Sequence, residues 1–404
     1  MSTLKVNTIT TRTGDTVTVA SGKTLQTDTI KDNSNNTLIS SDGTNIALGA
    51  NVAPGRSPSF RNILINGDMS IAQRGTSTAS ITTTGYYTVD RFKFFNSSLG
   101  TFTMSQDTDV PTGQGFATSL KVDCTTADAA PAGADNLRIQ QIFEGQNLQY
   151  LKKGTSSAES LTLSFWVKST KTGTFIAELY DLDNNRQISK SYTVSVTNTW
   201  EKKTITFAGD TTGAFTNDNT DALSVNFWLG AGTDYTSGTL STTWTSSTTA
   251  DRAVGQVNVA DSTSNDFWIT GVQLEAGTTA SDFEFLPYDV NLARCQRYYY
   301  RINPNGTSGS IGSAAYYIST AVFVSLNFPT SMRTFPSMEQ VTGTNYYNIN
   351  RDGANDEFNT FTLNTSNIDS ADLYVDSNVS GTAGYAGRCR FNSASGYVAF
   401  SAEL

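Results

Sequence analysis

An all-β fold is predicted by three features of this sequence: a hydroxyl-rich composition, short segments in which apolar and polar residues alternate, and closely spaced turn residues between them. Roughly a quarter of the 404 residues are Ser or Thr, 11% are aromatic, and 32 Gly stand against 8 Pro. Thr and aromatic side chains suit a pleated, half-buried surface, and Gly supplies its corners. No long stretch has a helical period. The length allows two or three domains. Composition shifts place them at 1–55 (an N-terminal β-repeat segment ending in a Gly/Pro linker), 56–288 (a jelly-roll β-sandwich) and 289–404 (a smaller C-terminal β-sandwich).

The N-terminal segment contains an internal repeat with a shift of 21 residues, which aligns Thr8-Ile9 with Thr29-Ile30, Gly22 with Gly43, and Leu25 with Ile46. Each copy reads as short strands joined by turns. Its apolar residues are too sparse to close a core from one chain, so the segment is expected to order against symmetry mates or a larger platform. Gly22-Lys23-Thr24 resembles the end of a phosphate-binding loop, but Val17 stands where that motif needs Gly. The linker is Gly49-Ala-Asn-Val-Ala-Pro-Gly-Arg-Ser-Pro58.

In the second region the clearest strand is Leu161-Thr-Leu-Ser-Phe-Trp-Val-Lys168, with Leu161, Leu163, Phe165 and Val167 on one face. Similar alternation recurs at 175–180, 191–196, 204–207, 224–229 and 267–274. A Phe-Trp dipeptide occurs three times, at 165–166, 227–228 and 267–268. Neighbours in a strand point to opposite faces, so the Phe residues are expected in the core and Trp166, Trp228 and Trp268 on a polar face. There they either form a platform on which sugar rings stack or lie beneath a second layer. The tight loop containing Asp181 and Asp183 either holds a hard cation weakly or caps its own backbone. No other metal site is expected. A short helix around 290–300 leads into the third region. That region's tyrosines, among them Tyr298, Tyr299, Tyr316, Tyr317 and Tyr347, serve either as core or as a contact surface.

The charges narrow the function. With 27 Lys+Arg against 36 Asp+Glu, the formal net charge is -9, which is unsuited to tracking nucleic-acid phosphates. There is no His, which removes Ser-His-Asp and Cys-His triads and imidazole zinc sites. Asp90, Glu144, Glu178, Glu275 and Glu284 are the acids inside strand-like segments, and structural pairing with Arg91, Lys93 or Arg138 is expected for them. Three widely spaced cysteines form no disulfide or metal pattern. Neither a signal peptide nor an apolar run long enough to span a membrane is visible. The protein is therefore expected to be non-enzymatic, without cofactor, and not inserted in a membrane.

Several segments carry a resemblance. They are Arg61-Asn-Ile-Leu-Ile-Asn-Gly-Asp-Met-Ser-Ile-Ala-Gln-Arg-Gly75, Tyr87-Thr-Val-Asp-Arg-Phe92, Gln140-Gln-Ile-Phe-Glu-Gly145, Thr199-Trp-Glu-Lys-Lys203, Thr270-Gly-Val-Gln-Leu-Glu-Ala-Gly277 and Cys295-Gln-Arg-Tyr-Tyr299. In this order they resemble the carbohydrate-binding-module-like jelly roll of phage and prophage tail-fibre proteins. Phe328-Pro-Thr-Ser-Met-Arg-Thr-Phe-Pro336 and Phe400-Ser-Ala-Glu-Leu404 are similar to the distal domain of such proteins, and the opening residues to structural proteins of marine phages. The resemblance implies a homotrimeric virion fibre made in the host cytoplasm. Its N-terminal segment would join tail or adaptor proteins, and its body or tip would contact host surface polysaccharide or lipopolysaccharide. A capsid or head appendage, or an adaptor with a purely structural role, is the alternative.

Overall fold

The computed structural model describes residues 29–31, 37–41, 46–48, 60–304 and 308–404. The chain divides into two compact units, Met1–Ser59 and Phe60–Leu404. In the first unit, Thr29–Lys31, Thr37–Ser41 and Ile46–Leu48 form an antiparallel three-stranded sheet. Its register sets Ile30 opposite Ile39 and Ile39 opposite Leu48. Ile30 and Ile39 are exposed. These strands lie in the second copy of the repeat; the first copy, the Gly22-Lys23-Thr24 segment and the linker lie outside the described residues.

The second unit is all-β and contains two sandwiches. In the first, a six-stranded antiparallel sheet runs in the order Glu201–Phe207, Leu161–Ser169, Asp266–Ala276, Ser119–Thr126, Thr101–Asp107, Ser77–Ile81. A seven-stranded sheet faces it, in the order Thr245–Ser246, Arg186–Val194, Gly173–Asp181, Asp221–Ala231, Asn136–Glu144, Lys93–Ser97, Gly85–Tyr86. The two sheets enclose one apolar core, in the arrangement of a jelly-roll sandwich. Each stretch expected from alternation falls on a strand, although the one expected at 191–196 ends at Val194, and Phe165, Phe227 and Phe267 are all core residues. Phe165 packs edge-on against Phe227, with ring centroids 5.1 Å apart.

The second sandwich pairs a three-stranded sheet (Tyr299–Ile302, Val398–Ser401, Ser337–Gln340) with a seven-stranded one. The latter runs Ala354–Phe358, Tyr347–Arg351, Ala386–Phe391, Ser310–Ile318, Ala321–Asn327, Ser370–Val375, Thr362–Ser366. Asp352-Gly353 closes a two-residue hairpin with both φ angles positive, at 45° and 74°. Tyr298, Tyr299, Tyr316 and Tyr347 are buried, which puts them in the core, whereas Tyr317 is exposed.

A helix, Tyr288–Gln296, and a polar seam join the sandwiches. Cys295 and Tyr298 pack with Ile65 and Ile71 of the first sandwich. The buried Arg91 guanidinium forms an ion pair with Glu403 and donates from Nη2 to the Ile142 carbonyl at 2.7 Å. Arg333 donates to the Asn219 and Ala402 carbonyls at 2.9 and 2.7 Å, tying both sandwiches together.

The segment from Arg61 to Gly75 organises this seam by hydrogen bonding. Asn62 Oδ1 accepts from the Leu64 and Leu274 amides, and Nδ2 donates to the Val272 carbonyl. Asn66, at φ 62°, closes its own loop on Ile71 and donates to the Asp90 carbonyl. Gly67 lies so close to Val272 that a Cβ would stand 2.0 Å from that carbonyl oxygen. All three cysteines are buried and free. Among the described residues, no helix is long and apolar enough to cross a membrane.

Candidate functional site: a cleft beside the inter-sandwich helix

A cavity of about 410 Å³ opens between the first sandwich and the helix Tyr288–Gln296, within the size range of small-molecule sites. Its floor is apolar, built by Ile65 and Phe143, both buried. Its mouth carries two aromatic rings, Phe60 at 60% exposed and Tyr150 at 50%. Local sequence explains both placements. Tyr150 sits in the 3-10 turn Gln149–Leu151; Leu148 and Leu151 are drawn into the core, so the two residues between them turn outward. Gln149 clamps that turn by donating from Nε2 to the Gly145 and Thr216 carbonyls, at 3.0 and 3.1 Å. Phe60 is held by its backbone N–H, which donates to Glu284 Oε1 at 2.6 Å.

The polar lining differs in how much of it is already engaged. Glu144 is buried, and both its oxygens are occupied: Arg297 donates from Nε and Nη2 at 2.8 and 2.7 Å, Tyr298 from its hydroxyl at 2.5 Å, and Gln146 from Nε2 at 2.6 Å. Burial pushes its carboxyl up, but the Arg297 and Tyr298 hydrogen bonds outweigh this and hold it below the ordinary carboxylate range. It is thus a fixed acceptor that orients Arg297. Arg294 makes no ion pair among the described residues, and its Nη2 donates at 3.3 Å to the Asn62 carbonyl. The Asn147 side chain is exposed beside it. Aromatic walls, an amide and a guanidinium with spare donors can together grip a ring with an apolar face and polar edges.

The three tryptophans are scattered by the fold. Trp166 is half-buried on the outer face of the six-stranded sheet, in register with Lys202 and Thr270. Trp268 lies on the same face but is only 6% exposed. Lys168 Nζ stands 3.9 Å above its ring, and its indole N–H donates to Asp107 at 3.0 Å. Trp200 joins this cluster, donating to Asp109 at 2.9 Å. Burial pushes the Asp107 carboxyl up, yet the Trp268 indole and the Asp109 and Thr108 amides leave it lowered.

Trp228 takes the second of the two arrangements open to these residues, beneath a second layer. It projects from the other sheet and is fully buried beneath Tyr235, Leu240 and Ala253, with its N–H on Glu178 at 3.0 Å. No ring face of Trp228 is left for a ligand.

The acidic loop is also resolved in favour of structure. Lys153 Nζ lies 2.5 Å from Asp181 and 3.2 Å from Asp210, and it donates to the Thr212 and Gly213 carbonyls at 2.9 and 2.6 Å. The place a cation would take beside Asp181 is filled by the chain's own ammonium. Asp183 faces elsewhere and accepts from the Thr216 amide at 2.9 Å.

The strand acids are paired, but not with the expected cations. Glu178 takes Arg252 at 2.7 Å, Glu144 takes Arg297 and Glu275 takes Arg61 at 3.7 Å as well as the Ser281 hydroxyl, whereas Asp90 accepts from Gln73. Glu284 accepts the Phe60 and Asn62 amides. Phe60, Tyr150 and Arg294 were not singled out by sequence: they come from a chain entry, a 3-10 turn and a helix, and no shared period links them.

No protein-family model matches the sequence, and no curated protein matches it. Among solved structures, the chain is similar to the enzymatically active domain of tailspike protein 4 of bacteriophage CBA120. That match has 17% identity and a TM-score of 0.29, and it covers 57% of this chain and 22% of that one. The chain thus spans about a fifth of that domain's length. It is also similar to the N-terminal cellulose-binding domain of Cellulomonas fimi β-1,4-glucanase C, at 14% identity and TM-score 0.25, covering 52% and 100% of the two chains. A third likeness is to the family 11 carbohydrate-binding module from Clostridium thermocellum, solved with a β-1,3-1,4-mixed-linked tetrasaccharide. It has 12% identity and a TM-score of 0.24, covering 51% of this chain and 98% of the module.

Proposed function

We propose that this protein binds a saccharide in the cleft beside the helix Tyr288–Gln296, and that it does so as the subunit of a homotrimeric virion fibre. The observation that carries the binding reading is the cleft itself: a cavity of about 410 Å³ with two exposed aromatic rings at its mouth, above an apolar floor and beside an unpaired guanidinium. The fibre reading is supported by the ordered motifs from Arg61 to Leu404 and by the N-terminal repeat. The protein binds its saccharide without cleaving it. In support, each acid singled out inside the strand-like segments is engaged by guanidinium, amide or hydroxyl donors.

The test is an array of host-surface glycans probed with the full chain, then with Phe60→Ala and Tyr150→Ala. Each stacked ring is worth about 1 kcal/mol, so each variant is expected to bind about fivefold more weakly while keeping the wild-type melting temperature. Binding that survives both substitutions but disappears in Trp166→Ala would move the site to the six-stranded sheet and reject the cleft.

A further inference from the structure

We infer that the cleft selects saccharides bearing a carboxylate, and that Arg294 is the group that reads it. This rests on the saccharide-binding reading and names the ligand class. The cleft holds two arginines on neighbouring turns, Arg294 and Arg297, and the structure treats them differently. Arg297 is neutralised in place, because its fork donates to both oxygens of Glu144, at 2.8 and 2.7 Å. Arg294 has no carboxylate within ion-pair distance among the described residues and spends one N–H on the Asn62 carbonyl at 3.3 Å. The nearby Glu284 accepts the Phe60 and Asn62 amides at 2.6 and 2.9 Å and acts on Arg294 only from beyond ion-pair distance.

A guanidinium has five N–H donors in a planar fork that matches the two oxygens of a carboxylate. Arg294 keeps most of that fork unspent, facing a cavity large enough for a sugar ring. Burial also lowers the affinity of Arg294 for its proton, which marks a charge short of solvation that an incoming anion would restore. A uronic acid or nonulosonic acid residue supplies a carboxylate on a ring whose C–H face can lie against Tyr150 or Phe60. A neutral hexose would satisfy the aromatic walls but leave the fork unmatched.

The experiment titrates the full chain with oligosaccharides carrying glucuronate, galacturonate or N-acetylneuraminate, each paired with its carboxyl-reduced counterpart. At least one acidic member is expected to bind ten-fold or more tightly than its reduced partner, and that ratio should shrink as salt is raised. Arg294→Met should bring the two affinities together, and Arg294→Lys should restore only part of the ratio, since an ammonium lacks the planar fork. Melting temperatures of both variants identify any loss caused by unfolding. Equal affinity for acidic and reduced members, with binding still weakened by Tyr150→Ala, overturns this inference and leaves the cleft as a saccharide site. Binding indifferent to Tyr150→Ala and Phe60→Ala rejects the cleft and this inference with it.

Discussion

The ammonium of Lys153 lies 2.5 Å from the fully buried carboxylate of Asp181, inside a cage completed by Asp210 and two main-chain carbonyls. Removing one partner of such a pair strands the other charge out of water, at a cost of about 3–5 kcal/mol. Lys153→Met is therefore expected to lower the denaturant midpoint strongly. Asp183→Ala, two residues from Asp181 but outside the cage, should cost about 1 kcal/mol, the worth of its hydrogen bonds to Thr216. Equilibrium unfolding of the two variants gives the comparison, and equal losses would mean the cage contributes nothing of its own.

Trp228 and Trp166 occupy equivalent places in the repeated dipeptide yet should respond differently to truncation. Trp228→Ala empties a fully buried site and leaves Glu178 without its indole donor, so a loss of about 3–5 kcal/mol is expected. Trp166→Ala removes a half-buried ring and should cost less than half as much. Thermal denaturation of both variants checks the order.

Asp90 makes stability depend on pH. Burial, only partly offset by Arg74 and Gln73, raises its pKa from 3.8 to about 6. The folded state therefore holds this proton more tightly than the unfolded chain does. The resulting stabilisation is complete below the unfolded value and is lost as pH rises through about 6. The difference corresponds to about 3 kcal/mol at most. Asp90→Asn should flatten the decline in unfolding free energy between about pH 4 and 7, as read from urea midpoints across that range. An unchanged slope would show that other groups set the pH dependence.

The seam offers a test of coupling. Glu403→Gln leaves Arg91 buried with a neutral partner, and burial then pushes its guanidinium down unopposed by the carboxylate. A loss of about 3 kcal/mol is expected. Because Arg91 belongs to the first sandwich and Glu403 follows the second, both should still unfold in one transition in the wild type and separate into two in the variant. Calorimetry distinguishes the cases.

Deletion of residues 1–55 should leave a body that stays folded by circular dichroism, since Phe60–Leu404 is a compact unit by itself. The same deletion should prevent incorporation into particles if the repeat is the attachment segment, as particle composition after assembly would reveal.

Much of the fold was legible because a strand with one apolar face writes that face into a period of two. Leu161, Leu163, Phe165 and Val167 announce a core face, and the structure places all four there. The tryptophans show where that logic stops. Alternation reports which face of a sheet a residue occupies, not what covers that face. The cover of Trp228 comes from Tyr235 on a single helical turn and from Leu240 and Ala253 in the loop after it, a stretch without periodicity. The acidic loop shows the same limit: Asp181 and its cap on the Asn184 amide were visible in the sequence, but Lys153 approaches it from a different part of the chain. The cleft was illegible because Phe60, Tyr150 and Arg294 meet only through the docking of the helix.

Arg91 and Glu403 are separated by 312 residues of chain. During synthesis the strands of the first sandwich leave the ribosome long before Glu403 exists, so for that whole interval Arg91 has no carboxylate to receive it. The early sandwich must either keep that guanidinium in water, with its seam unsealed, or carry an uncompensated charge. Completion of the seam thus waits until translation has run past residue 403, and a chain that stops earlier would keep this guanidinium without its carboxylate.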